Sequence, residues 1–190
     1  VTQQLSQFKQ IPAKVVSNSL KDANNLITID KGSVDGVRKD MGVVSGTGVV
    51  GIVYLVSPHY AVVIPLLNAL ADRIIAVRGN CDAEVDQMVL QFPILADYLM
   101  LMLKKRTCIV THGHIYNKDK LPPMKKGDIL LHGHTHLQAL EDMGDYLYIN
   151  PGSISLPKGD DVNSYMIYED GIFTIRDLEG RPIKSMSIFH

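Results

Sequence analysis

The chain changes character near residue 67, and that break limits the folds open to it more than any other feature. One of its seven histidines, His59, precedes the break, and five of the other six fall between His112 and His136. Charge shifts at the same place, from six basic and four acidic side chains in residues 1–66 to thirteen and sixteen beyond. The two stretches are therefore read separately.

Composition narrows the classes. Hydrophobic residues make up 46% and charged residues 21% of the 190, which excludes a disordered tail, a collagen-like repeat and a disulfide-stapled peptide. A net charge of −1 offers no basic field for nucleic acid or anionic lipid, so no nucleic-acid partner is implied. Two cysteines, Cys81 and Cys108, fit a reducing compartment. No apolar run approaches the ~20 residues of a membrane-spanning helix, so no membrane segment is expected in this chain. The Gln-rich stretch Val1–Gln10 reads either as the end of an upstream element or as a trimmed terminus.

Residues 1–66 read as β. Ala13–Ser17, Leu26–Asp30, Val43–Ser45, Val49–Val56 and Ala61–Ile64 are rich in Val and Ile. Turn pairs separate them: Asn24-Asn25, Lys31-Gly32, Asp35-Gly36, Gly46-Thr47-Gly48 and Ser57-Pro58. Closely spaced short strands predict a small barrel or sandwich. Gly46-Thr47-Gly48-Val49-Val50-Gly51 matches the Gly-x-Gly-x-x-Gly dinucleotide fingerprint, but that motif needs a strand running into a helix. Here Ile52–Val56 continues as a strand pattern, so the glycines are read as a hairpin.

This segment resembles the extracytoplasmic β-domain of the MreC family of rod-shape scaffolds. The likeness runs through Ile11–Val16, Asn25–Gly32, Asp35-Gly36-Val37, Met41–Val44 and Gly48–Val53, and covers about residues 8–68. It implies a non-catalytic segment that self-associates and bridges cytoskeleton to wall-building enzymes, with Val1–Gln10 as a coiled-coil remnant.

From Leu67 the pattern becomes mixed. Leu66–Arg73 is expected to close a helix, Ile74–Val77 to form a strand and Ala83–Leu90 a helix with Glu84 and Asp86 at its positive end. Further strands are expected at Tyr98–Leu103, Thr107–Val110, Ile129–Leu131, Tyr146–Ile149, Ser164–Tyr168 and Ile172–Arg176, with Asp170-Gly171 a tight hairpin turn. Three polar clusters each follow an expected strand: Gly79-Asn80-Cys81-Asp82, Thr111-His112-Gly113-His114 and His132-Gly133-His134-Thr135-His136. Strand ends leaving one sheet edge gather such groups around a common site. Imidazole and amide oxygen suit first-row transition ions, and two histidines at i and i+2 on extended chain share a face. Singly, each residue has a plainer reading: a strand-end histidine is a hydrogen-bonded polar group, Asn80 a turn residue, and the cysteines small core residues. The ordered recurrence of all three clusters is hard to obtain by packing demands alone. His59 and His190 are assigned no role.

These residues resemble the calcineurin-like metallophosphoesterases, most closely the YfcE-type phosphodiesterases. The likeness includes Arg78–Gln87, Phe92-Pro93-Ile94 and Asn150–Gly159, and covers roughly residues 67–190. It implies the C-terminal half of an αββα sandwich, a cytoplasmic location, a small phosphodiester substrate and a Mn²⁺-type cofactor. It further implies that Asn80, His112 and His134 bind one metal and His136 the other. Asp82 and His114 would be neighbouring or substrate-facing catalytic groups.

The resemblance is incomplete. The family's first half supplies an Asp-x-His pair and a Gly-Asp whose carboxylate bridges two metals. No histidine here has Asp two places earlier, and Gly127-Asp128, Gly144-Asp145 and Gly159-Asp160 come late in the chain. The remaining donors are neutral, so two close dications would repel each other without offset. One well-held metal at most, weak hydrolysis, unpaired strand edges and exposed apolar surface are expected. The expected function is an impaired metal-dependent phosphodiesterase on residues 67–190 behind an MreC-like segment on 1–66. The alternative is a scaffold segment within a chimera that has no evolved function of its own. A periplasmic location would follow if the MreC-like part governed. Leu66–Asp72 suits both families and marks the join, whether chimeric or a natural two-domain fusion.

Overall fold

The computed structural model describes residues 9–19, 25–45 and 48–189. The fold is mostly β, as the sequence predicts, and the chain divides into two units. One runs through Ala76 and also takes Ala83–Ile94; the other comprises Val77–Asp82 and Leu95 onward.

The first unit holds β1 (Val15–Asn18), β2 (Ile27–Ile29), β3 (Gly42–Ser45), β4 (Gly48–Val56) and β5 (Ala61–Pro65). They form one antiparallel sheet in the order β1-β2-β5-β4-β3. Val and Ile favour this pleated, half-buried setting. Ile29, Val37, Val53, Ala61 and Val63 make its core, with Ile11, Ile27, Val43 and Val56 packed around them. Gly51 lies inside β4, where a Cβ would overlap the Ile64 carbonyl of β5. The glycine therefore serves close strand packing, in keeping with a hairpin rather than a nucleotide loop; Gly46 and Thr47 lie outside the described residues.

Two short helices complete this unit, α1 (Leu66–Ala69) and α2 (Glu84–Val89). The expected helix over Leu66–Arg73 is broken at Leu70 and resumes only as a 3₁₀ turn, Ala71–Arg73. Asn68, buried, donates from Nδ2 to the Val89 carbonyl at 2.9 Å and accepts from the Gln91 amide at 3.1 Å. That pair of bonds ties the α1 turn to the end of α2.

The strand expected at Ile74–Val77 does not form. An apolar run becomes a strand only where a neighbour supplies ladder hydrogen bonds. This one has none among the described residues, and Ile75 is 73% exposed.

The second unit contains β6 (Tyr98–Leu103), β7 (Arg106–Thr111), β8 (Ile129–His132), β9 (Gln138–Asp142) and β10 (Leu147–Pro151) in one mixed sheet, order β6-β7-β8-β10-β9. The pairs β7–β8 and β8–β10 are parallel; the outer pairs are antiparallel. A meander of β11 (Ser164–Glu169), β12 (Ile172–Asp177) and β13 (Pro182–Ser187) supplies a second layer. Cys108, Ile129, Leu147, Ile149, Phe173 and Ile188 form the core between these layers. Each fully buried Ile there contributes roughly 1.5–3 kcal/mol of transfer free energy. Leu130, Ala139 and Tyr148 make a smaller cluster with Met124 and Tyr146. Asp170 and Gly171 both have positive φ, 48° and 84°, as a two-residue hairpin between twisted strands requires. Met100 and Met102 on β6, at the sheet edge, are 63% and 70% exposed, an apolar edge of the kind expected from the incomplete family pattern.

Because β7, β8 and β10 run parallel, their carboxyl ends leave the sheet at one edge. Thr111, His132 and Pro151 are their last residues. The polar turns that follow are thereby brought together.

Candidate metal centre at the strand ends

Three of the sequence-selected side chains meet directly. His112 Nε2 stands 2.9 Å from Asn80 Oδ1 and 3.1 Å from His134 Nδ1. The His112 and His134 rings are 5.0 Å apart between centroids and tilted by 66°. His114 joins from the side, 5.3 Å from the His112 ring and 6.3 Å from that of His134. Its Nδ1 is buried without a hydrogen-bond partner.

The other two lie differently. His136 turns its Nδ1 to the Leu156 carbonyl at 2.7 Å. Asp82 accepts the Gly79 amide at 2.6 Å, so its carboxylate closes the turn that carries Asn80. Among the described residues, no group of three or more His, Cys, Asp or Glu side chains is arranged to hold an ion. The late Gly-Asp pairs serve elsewhere: Asp128 accepts the Lys125 amide at 2.7 Å, and Asp145 pairs with Lys126 at 2.9 Å.

The histidine turns are not extended, which corrects the expectation that i and i+2 rings share a face on extended chain. Gly113 has φ 117°, and His134 and His136 have φ 61° and 64°. Non-glycine residues held left-handed cost of order 1–3 kcal/mol each and persist only where surroundings over-determine them. Here the Gly133 amide donates to the His112 carbonyl at 3.0 Å, joining the two turns, and the Thr135 amide donates to the Gly133 carbonyl at 2.7 Å. Asn150, fully buried, donates from Nδ2 to the Gly133 carbonyl at 3.0 Å and to Thr135 Oγ1 at 2.9 Å. Asn117 donates to the Gly113 carbonyl at 3.1 Å. The sequence alone marks neither asparagine as functional, although Asn150 opens the stretch Asn150–Gly159.

Burial and neighbouring rings favour the neutral form of His112 and His132. Burial, then the neighbouring His134 and His114, hold His112 below the ordinary histidine range, with Asp82 opposing. Burial also lowers His132, against the bond its Nδ1 makes to the Gly133 carbonyl. His132 is 2% exposed, its ring against Tyr148 and its Nε2 without a partner, so it packs beside the cluster. Neutral imidazole nitrogen and an amide oxygen present lone pairs and no net charge, a donor set for one transition ion.

Fold and site define a β-rich protein that carries histidine turns at one sheet edge. The chain belongs to the family of the rod shape-determining protein MreC, barrel core, whose model matches residues 15–130, and by its likeness to YfcE and YsnB it belongs to the metallophosphoesterases as well. The MreC match runs past residues 8–68, on which the resemblance rests, and across the first histidine turn. Phosphodiesterase YfcE of Escherichia coli strain K12 is 43% identical over 117 residues, covering 62% of this chain and 64% of YfcE. The probable metallophosphoesterase YsnB of Bacillus subtilis strain 168 is 32% identical over 125 residues, covering 58% of this chain and 67% of YsnB. The solved structure of the E. coli phosphoesterase YfcE matches with a TM-score of 0.62 at 40% identity, covering 65% of this chain and 68% of that one. The chain thus spans just under two thirds of the length of the YfcE sequence it matches. Among the described residues no helix is long and apolar enough to cross a membrane.

Proposed function

We propose that residues 67–190 form a one-ion metal centre directed at phosphodiester hydrolysis, with Asn80, His112 and His134 as ligands. The convergence of Asn80 Oδ1, His112 Nε2 and His134 Nδ1 carries this reading. Two cis ligands with bonds of about 2.1 Å stand about 3.0 Å apart, which matches the spacings of 2.9 and 3.1 Å. His136 fits a fourth, separate donor: its Nδ1–H donates to the Leu156 carbonyl, which leaves the Nε2 lone pair for a cation. Mn²⁺ is the ion the family resemblance implies, and the likeness to YfcE and YsnB supports a divalent metal.

A bound ion of this kind activates water as a nucleophile and neutralises charge on phosphoryl oxygens. The residues do the rest. Asp82 fixes the Gly79-Asn80 turn through the Gly79 amide. His114, beside His112, is the substrate-facing group on this reading. Turnover is weak on this reading, because among the described residues no carboxylate joins these donors and a second dication would be repelled. The substrate class is a small phosphodiester and the location cytoplasmic. The test is Mn²⁺-dependent hydrolysis of bis(p-nitrophenyl) phosphate by the whole chain, shown folded by circular dichroism. Turnover that disappears in His134→Ala supports the assignment; none above Mn²⁺ alone overturns it.

Family membership favours a second reading for residues 1–66: an MreC-like segment that self-associates, joined near residue 66 to the phosphoesterase part. On this reading the join is chimeric rather than a natural fusion. The coiled-coil remnant assigned to residues 1–10 falls almost wholly outside the described residues. Sedimentation across a wide concentration range tests self-association, and a strictly monomeric species throughout removes it.

A further inference from the structure

We propose that Asn117 and Asn150 are a matched pair of positioning residues that set the two histidine turns for a cation; this rests on the metal-centre reading above. Each turn has the order His-Gly-His, and each presents its glycine carbonyl to an asparagine amide. Asn117 Nδ2 donates to the Gly113 carbonyl at 3.1 Å, and Asn150 Nδ2 to the Gly133 carbonyl at 3.0 Å. Those carbonyls belong to the peptides leading into His114, whose ring lies 5.3 Å from that of the ligand His112 and through which Asn117 acts on it, and into the ligand His134. A fixed peptide plane fixes the direction in which the next side chain leaves the backbone.

Both asparagines are themselves immobilised through the other end of the amide. Asn117 Oδ1 accepts the Asp119 amide at 2.9 Å and the Lys120 amide at 3.1 Å. Asn150 Oδ1 accepts the Gly152 amide at 3.0 Å, and its Nδ2 also reaches Thr135 Oγ1 at 2.9 Å. The Gly133 amide, donating to the His112 carbonyl at 3.0 Å, links the two turns into one frame. His134 and His136 hold φ 61° and 64° in that frame, a conformation that needs such support. Asparagine suits both positions because its amide donates from nitrogen to a carbonyl while its oxygen accepts from backbone amides.

Aspartate separates the two halves of this function. Asn117→Asp keeps the acceptor for Asp119 and Lys120 and loses the donor to Gly113. Its added negative charge would by itself draw a cation closer, so weaker binding in this variant runs against simple attraction. Outer partners of metal ligands typically contribute about 10–100-fold in affinity. Titration of the whole chain with Mn²⁺, followed by electron paramagnetic resonance of the free ion, reads the effect directly. The expected result is a Kd raised about tenfold or more in Asn117→Asp, with circular dichroism and the metal-free melting temperature close to those of the parent. Asn150→Asp is expected to weaken binding similarly, but it buries a carboxylate, so Asn117→Asp is the deciding variant. Equal affinity in parent and Asn117→Asp overturns the clamp and leaves the metal centre standing. A parent that takes up no Mn²⁺ overturns the metal centre and the clamp with it.

Discussion

His112 Nε2 faces His134 Nδ1 across 3.1 Å, so only one of those nitrogens carries a proton. Charging His112 takes a cation out of water and places it beside the His134 and His114 rings. Burial and these neighbours lower its pKa in the folded chain. The unfolded chain then binds more protons just below the ordinary histidine value of about 6.5, so stability falls as pH drops through that value toward the lowered one. The melting temperature of the metal-free protein is expected to fall between pH 7 and pH 5. His112→Gln should reduce the slope, leaving the part due to His132, which is lowered in the same direction. A slope unchanged in His112→Gln would exclude this origin.

The two cysteines make contrasting probes. Cys108 is 1% exposed inside the sheet core, and burial pushes its thiol up to about 12. Cys81 is exposed. A thiolate is the reactive form, so Cys108 is inert while the core stays closed. Reaction with Ellman's reagent at pH 8 should release one equivalent rapidly, lost in Cys81→Ser, and the second only on denaturation. Two fast equivalents in native protein would place Cys108 outside the core.

Much of this architecture is visible in the sequence, and the exceptions share a cause. Tyr98–Leu103, Ser164–Glu169 and Ile172–Asp177 carry enough apolar and β-branched residues to mark strands. Gln138–Asp142 and Pro182–Ser187 do not: both are edge strands, the first exposing Glu141 and Asp142 and the second its first four residues, so neither needs a run of apolar residues. Ile74–Val77 errs the other way: its composition is that of a strand, and the missing ingredient is a neighbour, which local sequence does not encode. At the site, the histidine-rich stretches announce chemistry by composition. Asn117 and Asn150 do not, because asparagine is an ordinary turn residue and their significance lies in which carbonyls they reach.

Gly113 makes the histidine frame sensitive to a single methyl group. Its φ of 117° disfavours any L side chain, and a Cβ would stand 2.7 Å from His132 Nδ1 and 2.9 Å from His134 Cβ. Neither ring-bearing residue can yield without disturbing the contact between His112 and His134. Gly113→Ala is expected to destabilise the protein by about 2 kcal/mol in urea denaturation and to abolish tight Mn²⁺ uptake. Gly127→Ala is the control: it also has positive φ, at 92°, but nothing lies within 4 Å of its Cβ position. It should show only the backbone penalty and bind Mn²⁺ normally. Equal losses in the two variants would mean that crowding at the histidine turns is unimportant.

Asp177 anchors the β12–β13 turn through Arg181, whose Nε donates to Oδ2 at 2.6 Å while the Arg181 and Glu179 amides donate to Oδ1 at 2.8 and 3.1 Å. Burial pushes this carboxyl up, but the bonds from Arg181 and Glu179 outweigh it and hold its pKa below the ordinary value of 3.8. A depressed carboxylate stabilises the fold above the unfolded pKa, and the contribution disappears as pH falls through the folded one. The parent should therefore lose stability below about pH 4 more steeply than Asp177→Asn, which has no charge to titrate. The amide also gives up the ion pair with Arg181 and sets an N–H group against the donors on one side, so Asp177→Asn should be less stable than the parent at pH 7, with the gap closing toward pH 2. Parallel stability curves for the two proteins across that range, measured by urea denaturation at fixed ionic strength, would show that the turn is held by its backbone alone.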